Sequence, residues 1–192
     1  MKREDEMAHE HVFPWWAGYL LLNPMRKRAA NPDGLLEPYV KPGMTVLDLG
    51  CAMGFFSLPL AEKVGDNGKV ICVDLQKKMI QVLNRRAKKA GLANRIDGRT
   101  CSASSLMLGD LAGKADFALA FAVIHEVPDR KKFLAEVYRS LRTGGVFLVG
   151  EPSRMVSSGE LDETIDDAVE TGFTVHDPVQ HGSFRTVALV KK

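Results

Sequence analysis

A chain of 192 residues with 45% hydrophobic and 26% charged side chains suits one soluble domain with an ample core. A net charge of +2 is too small to argue for nucleic acid by itself, and three cysteines without paired spacing argue against a disulfide framework and for a reducing, cytoplasmic setting. No secretory signal is visible, and the apolar stretch 12–22 contains Pro14 and is too short to span a bilayer, so no transmembrane segment is expected.

The first ten residues are charged and read as a frayed end. Both tryptophans fall in 11–24 (HVFPWWAGYLLLNP), where Pro14 opens a helix and Pro24 ends or kinks it. Its apolar residues surround the whole helix, so the domain, a substrate, a partner or a membrane surface must cover it. Residues 35–40 continue a helix into the Lys41-Pro42-Gly43 turn. The boundaries read as an N-terminal helical cap at 1–40 and the main domain at 41–192.

The stretch 46–57 (VLDLGCAMGFFS) organises the rest. A short apolar run breaks at Gly50 and Gly54, and Phe56, Leu60, Ala61 and Val64 follow at helical spacing. Strand, glycine turn and helix form the first unit of a doubly wound α/β fold, whose ligand lies at the carboxyl edge of the sheet. A dinucleotide loop wants glycine at its first, third and sixth places, which hold Gly50, Ala52 and Phe55 here. Phe55 fits badly beside a phosphate, which disfavours a nicotinamide oxidoreductase. The second strand, 70–74, ends at Asp74, about 20 residues after Gly54 and placed to accept hydrogen bonds from a ribose diol. A ribose clamp without a phosphate turn points to an adenosine ligand that carries no phosphate.

Helix 76–90 sets Met79, Val82, Leu83, Ala87 and Ala90 on one face and stops at Gly91. Its other face carries Lys77, Lys78, Arg85, Arg86, Lys88 and Lys89, while 160–170 is acidic and holds no base. Without interleaved aromatics the basic face reads as solvated, and no nucleic acid is expected. Residues 95–101 form a third strand, followed by the polar run Ser102 to Ser105. A strong fourth strand covers 116–123. Asp129 caps a helix to Arg142 that Gly144-Gly145 ends, and 146–149 is the fifth strand. Ser157 and Glu160 make a capping box for a helix stopping at Gly172, and 173–175 with 184–190 form a terminal hairpin around Gly182.

These residues resemble the class I S-adenosylmethionine-dependent methyltransferases. Asp48 to Gly54 (DLGCAMG) looks like their first motif and Val73-Asp74 like their second. FAVIHEVPD (121–129) with LAEVYRSLRTGG (134–145) is similar to the stretch through their fourth and fifth strands. The likeness covers roughly 35–190 and lies nearest the small single-domain, ubiquinone/menaquinone- or arsenite-methyltransferase-like branch. Ala52 replaces the central glycine, and Ser102 stands near where many members carry Asp or Asn for the adenine amine.

The resemblance implies a Rossmann-like, mostly parallel seven-stranded sheet with an antiparallel C-terminal strand and helices on both faces. It implies S-adenosylmethionine as cofactor and S-adenosylhomocysteine as product. Asp48 and Gly50 would lie near the methionine amino group in a loop with Cys51, Ala52 and Gly54. Asp74 would hold the ribose, with Leu75, Ser102 and Ala103 at the adenine and Phe121 near the sulfonium. In this family the segment before the first strand often caps the active site, so 11–24 is an accessory helix on the sheet or a lid with Trp15, Trp16 and Tyr19.

Methyl transfer from a sulfonium needs alignment and exclusion of water more than acid–base chemistry. An oxygen or nitrogen nucleophile calls for a base at the cleft mouth, and His125 and Glu126 follow the fourth strand there. Glu151, and His11 with Tyr19, are further substrate-side candidates. No Asn-Pro-Pro-aromatic motif follows the fourth strand, which argues against methylation of exocyclic base amines. Cys51, Cys72 and Cys101 read as small buried hydrophobes, and no metal is expected. The expected function is methyl transfer to a small, apolar or aromatic acceptor by a monomer or homodimer. The rivals are a nucleic-acid or protein methyltransferase using the basic helix, and a non-catalytic S-adenosylmethionine-binding module.

Overall fold

The computed structural model describes residues 14–23 and 30–192. Expectations for 1–13, His11 among them, and for Pro24 lie outside the described residues. A 3-10 helix, Trp15–Leu22, precedes a short helix α1 (Pro32–Leu36). Then follow β1 (Thr45–Leu49), α2 (Ser57–Val64), β2 (Lys69–Asp74), α3 (Lys77–Lys89), β3 (Ile96–Thr100) and β4 (Ala115–Phe121). The remainder is α4 (Arg130–Ser140), β5 (Leu141–Pro152), α5 (Ser158–Thr171), β6 (Phe173–His181) and β7 (Phe184–Lys191).

The seven strands run in the order β3-β2-β1-β4-β5-β7-β6. β1 to β5 are mutually parallel, and β7 inserts antiparallel between β5 and β6. Strand residues alternate between two faces. Val46, Cys72, Phe117 and Leu119 pack toward α1, α2 and α3. Leu47, Val73, Ala118 and Phe147 pack toward α4 and α5. Both faces are covered, which is why β1 and β4 read as nearly unbroken apolar runs. Ala30, Leu35, Leu36 and Val40 join the first of these cores. Among the described residues, no helix is long and apolar enough to cross a membrane.

Several boundaries differ from expectation. The helix expected over 35–40 is α1, Pro32–Leu36, because Pro38 restricts the residue before it and has no N–H to give. Trp15–Leu22 coils as a 3-10 helix. The fourth strand ends at Phe121, since Ala122 turns to φ 58° and donates its N–H to the Gly150 carbonyl (2.7 Å). α4 stops at Ser140 and β5 starts at Leu141, which pairs with Ala115. Gly145 makes that longer strand possible: a Cβ there would sit 2.9 Å from the Arg142 carbonyl oxygen. β6 runs on to His181 across a register shift between His176 and Pro178. The Ser157–Glu160 capping box and Gly172 at φ 115° bound α5 as read.

The acidic stretch has its partner in α4, away from the basic helix α3. Arg130 pairs with Asp167 at 2.5 Å and Lys131 with Glu170 at 2.8 Å.

Candidate active site

The carboxyl ends of β1, β2 and β4 open on one cavity of about 390 Å³. At its polar end Asp48, at the heart of β1, accepts the Ser57 hydroxyl at 2.5 Å, and both residues are buried. Burial pushes the Asp48 carboxyl up to about 7; Ser57 opposes this and the nearby Asp74 adds to it. Gly50 follows at φ 71°, and a Cβ on it would meet Val123 Cγ2 at 2.5 Å, so only glycine fits. Ala52 takes φ 47°, a left-handed turn that costs a Cβ-bearing residue roughly 1–2 kcal/mol.

That strained turn aims the Ala52 N–H at Asp74 Oδ2 (2.8 Å), while Gln76 N–H donates to Oδ1 (2.8 Å). Burial raises the Asp74 carboxyl above its ordinary value and the two N–H groups pull it down. Each oxygen accepts one bond here and retains a lone pair for a hydroxyl. Gly54 does not line the cavity. It supports the turn from behind at φ 83°, with no room for a Cβ beside Leu83 Cδ1 (2.4 Å). The Arg86 guanidinium donates to the Met53 carbonyl and ties α3 to the same loop.

Beyond β3, Ser102 and Ala103 line the cavity in a turn closed by Ser102 N–H to the Ser105 carbonyl (3.1 Å). The buried Glu136 of α4 fixes this turn, accepting Leu106 N–H (2.8 Å) and the Ser105 hydroxyl (3.1 Å). Leu75, half-buried, lines the same wall. Cys51 and Cys101 line the floor, and burial pushes both thiols up, Cys101 to about 11. Among the described residues, no group of three His, Cys, Asp or Glu side chains is placed to hold a metal ion.

The other end is apolar. Phe121 stands between Phe56 (4.6 Å between ring centroids) and Phe184 (4.5 Å), with Phe55 on the far side of Phe56 (5.0 Å). Gly150 makes the space, since its Cβ would lie 2.5 Å from the Phe121 ring. Met155, exposed, stands at the rim. His125 and Glu126 line this end on a short 3-10 turn, Ile124–Glu126. His125 Nδ1 donates to Glu151 Oε2 at 2.7 Å, and Glu151 Oε1 accepts Ile124 N–H at 2.9 Å. Glu151 is only 2% exposed and does not line the cavity; it acts on His125 from behind. The hydrogen bond to Glu151 raises the His125 pKa, against burial. His125 Nε2 is 4.0 Å from Glu126 Oε1.

Trp16 and Tyr19 are exposed and do not line the cavity, and the Trp15 side chain lies outside the described residues. Sequence reasoning missed site roles for Ser57, Glu136, Phe184 and Met155. Only Ser57, a hydroxyl opening the helix after the glycine turn, carried a local signal.

Fold and site define a doubly wound domain with two buried carboxylates, Asp48 and Asp74, lining the cavity at the carboxyl edge of its sheet. Residues 40–182 match the family described as methyltransferase domain, and the chain belongs to it. It is 34% identical over 131 residues to the ubiquinone/menaquinone biosynthesis C-methyltransferase UbiE of Brucella anthropi, covering 68% of this chain and 49% of that protein. Against the demethylmenaquinone methyltransferase of Oceanobacillus iheyensis it is 28% identical over 156 residues, 79% of this chain and 64% of that one. The chain spans about half the length of the first of these relatives. A SAM-dependent methyltransferase from Aquifex aeolicus superposes with TM-score 0.84 at 24% identity, over 94% of this chain and all of that one. At that identity the likeness speaks for the fold.

The donor set fits S-adenosylmethionine. Asp48, charged once an ammonium approaches, suits the amino group, and the remaining lone pairs of Asp74 suit the ribose hydroxyls.

Proposed function

We propose that this chain transfers a methyl group from S-adenosylmethionine to a small aromatic acceptor, with a reduced quinone ring as the acceptor class. The observation that carries this reading is the single cavity with its two unlike ends. Buried carboxylates hold one end, and four phenylalanines beside a carboxylate-backed histidine hold the other. The relatives named for quinone methylation support the acceptor class.

Bound S-adenosylmethionine supplies a methyl group already activated on a sulfonium. Asp48 would hold the amino group of that molecule and Asp74 its ribose, and Leu75 with the Ser102–Ser105 turn would cover its base. Phe121, between its neighbouring rings, excludes water from the path of displacement. Glu151 orients His125, and Nε2 takes the proton of an acceptor hydroxyl, so that a ring carbon becomes nucleophilic. The ring carbon would take the methyl group as the methyl–sulfur bond breaks; His125 then returns its proton to the ring oxygen, and the proton on the methylated carbon goes to water at the cavity mouth.

The test is incubation with methyl-labelled S-adenosylmethionine and a panel of hydroquinones, catechols, oligouridine and a histone peptide. Label on a hydroquinone ring carbon is the expected result. Label on RNA or peptide alone overturns the acceptor class. Tight cofactor binding with no labelled product makes the chain a binding module instead.

A further inference from the structure

Methyl transfer leaves the 3-10 helix Trp15–Leu22 unexplained. It carries no charged side chain and does not line the cavity. It packs on α3. Gly18 is the buried contact: a Cβ there would lie 2.9 Å from Met79 Cε and 3.0 Å from Met53 Cε. Leu22 packs against the same cluster of Met53, Met79 and Val82. The remaining described side chains face outward, with Trp16 63%, Tyr19 53% and Leu20 68% exposed. Aromatic residues with a polar tip are enriched where membrane meets water.

The helix it rests on supplies a complementary charge. At about 100° per residue, Lys78, Arg85 and Lys89 fall within about 100° of the Met79–Val82 stripe that meets the 3-10 helix. All three are exposed, and the first turn of α3 holds no acid. Arg130 and Lys131 of α4, by contrast, pair with acids of α5. An apolar ridge flanked by exposed cations matches a surface that is apolar below and anionic above.

We propose that the 3-10 helix and the adjoining basic face of α3 form one docking surface for an anionic lipid membrane. Trp16, Tyr19 and Leu20 enter the headgroup region, and Lys78, Arg85 and Lys89 meet the lipid phosphates. Met79 both carries the 3-10 helix and lines the cavity, so docking brings the cavity rim to the bilayer, where apolar acceptors dissolve. Single-stranded RNA also uses cations and aromatics. Leu20 favours lipid, because an aliphatic side chain gives a base no ring to stack on. The surface stands on these residues whether or not the acceptor assigned above is correct.

The two tryptophans of the chain, Trp15 and Trp16, both sit in this helix, so intrinsic fluorescence reports on it directly. The experiment measures co-sedimentation and tryptophan emission with vesicles of phosphatidylcholine alone and of phosphatidylcholine with phosphatidylglycerol at two to one, beside a polyuridine titration. The expected result is binding at least about tenfold tighter to the anionic vesicles, with blue-shifted emission and loss of the preference at high salt. Lys78→Glu/Arg85→Glu/Lys89→Glu loses that preference while S-adenosylhomocysteine affinity stays unchanged, which shows the fold intact. Leu20→Ser weakens the blue shift. Absence of binding to either vesicle, anionic binding that survives the charge reversal, or polyuridine binding in place of vesicle binding each overturns the proposal.

Discussion

At the polar end of the cavity, Asp48 and Asp74 sit on neighbouring strands and are held by backbone N–H groups and one serine within a stretch of 29 residues, 48–76. At the apolar end, Phe55, Phe121 with His125, Phe184, and Glu151 behind His125 come from four places along the chain and meet through the sheet order β1-β4-β5-β7. The first end is rigid by turn geometry, the second by side-chain packing. A cofactor of constant shape needs the former, and an acceptor site can change without disturbing it.

Changing the two ends separately sharpens the contrast. His125→Ala lowers kcat by about a hundredfold or more, the range for loss of a general base, while S-adenosylhomocysteine affinity measured by calorimetry stays within about twofold. Equal loss of both quantities would break the separation. Gly50→Ala forces a Cβ into Val123 at a left-handed φ and destabilises the fold by about 2–4 kcal/mol in denaturant titration. Ala52→Gly, at φ 47°, trades strain relief against unfolded-chain entropy and changes stability by less than about 1 kcal/mol.

Two pH effects are smaller. Glu151 raises the His125 pKa, so the base form appears only as pH rises through a limb above the ordinary histidine value of about 6.5. In Glu151→Gln that limb moves down and the plateau rate falls by about tenfold as orientation is lost; a merely structural role for Glu151 would leave the limb in place. Between 3.8 and about 7 the folded chain keeps a proton on Asp48 that the unfolded chain has lost, so this group lowers stability as pH rises through that window. An ammonium group reverses the preference. Cofactor binding at about pH 6 therefore releases a fraction of a proton, read from calorimetry in buffers of different ionisation heat.

The same contrast explains what the sequence made legible. Gly50, Gly54 and Asp74 announce a strand–turn–helix because a left-handed φ and a strand-end carboxylate leave local marks, and β1, β2 and β4 read as buried runs. The longer β5 and the early end of β4 escaped, because a glycine tolerated in a tight strand and an alanine at φ 58° look ordinary in the sequence. Glu151 read as a substrate-side group, yet a turn of backbone at Ile124 sets it behind His125. Phe184 gave no sign, since its role depends on a partner strand more than thirty residues away. The acids of α5 find their bases on α4, a pairing that helix packing decides and charge counting along the chain does not.

Calorimetric titration of S-adenosylhomocysteine into the wild type, Asp74→Ala and His125→Ala tests the two-ended cavity most directly. The account predicts micromolar binding that weakens at least about tenfold, ~1.4 kcal/mol or more, in Asp74→Ala and holds in His125→Ala. A folded wild type that binds nothing, or an Asp74→Ala variant that binds as well as the wild type, would contradict it.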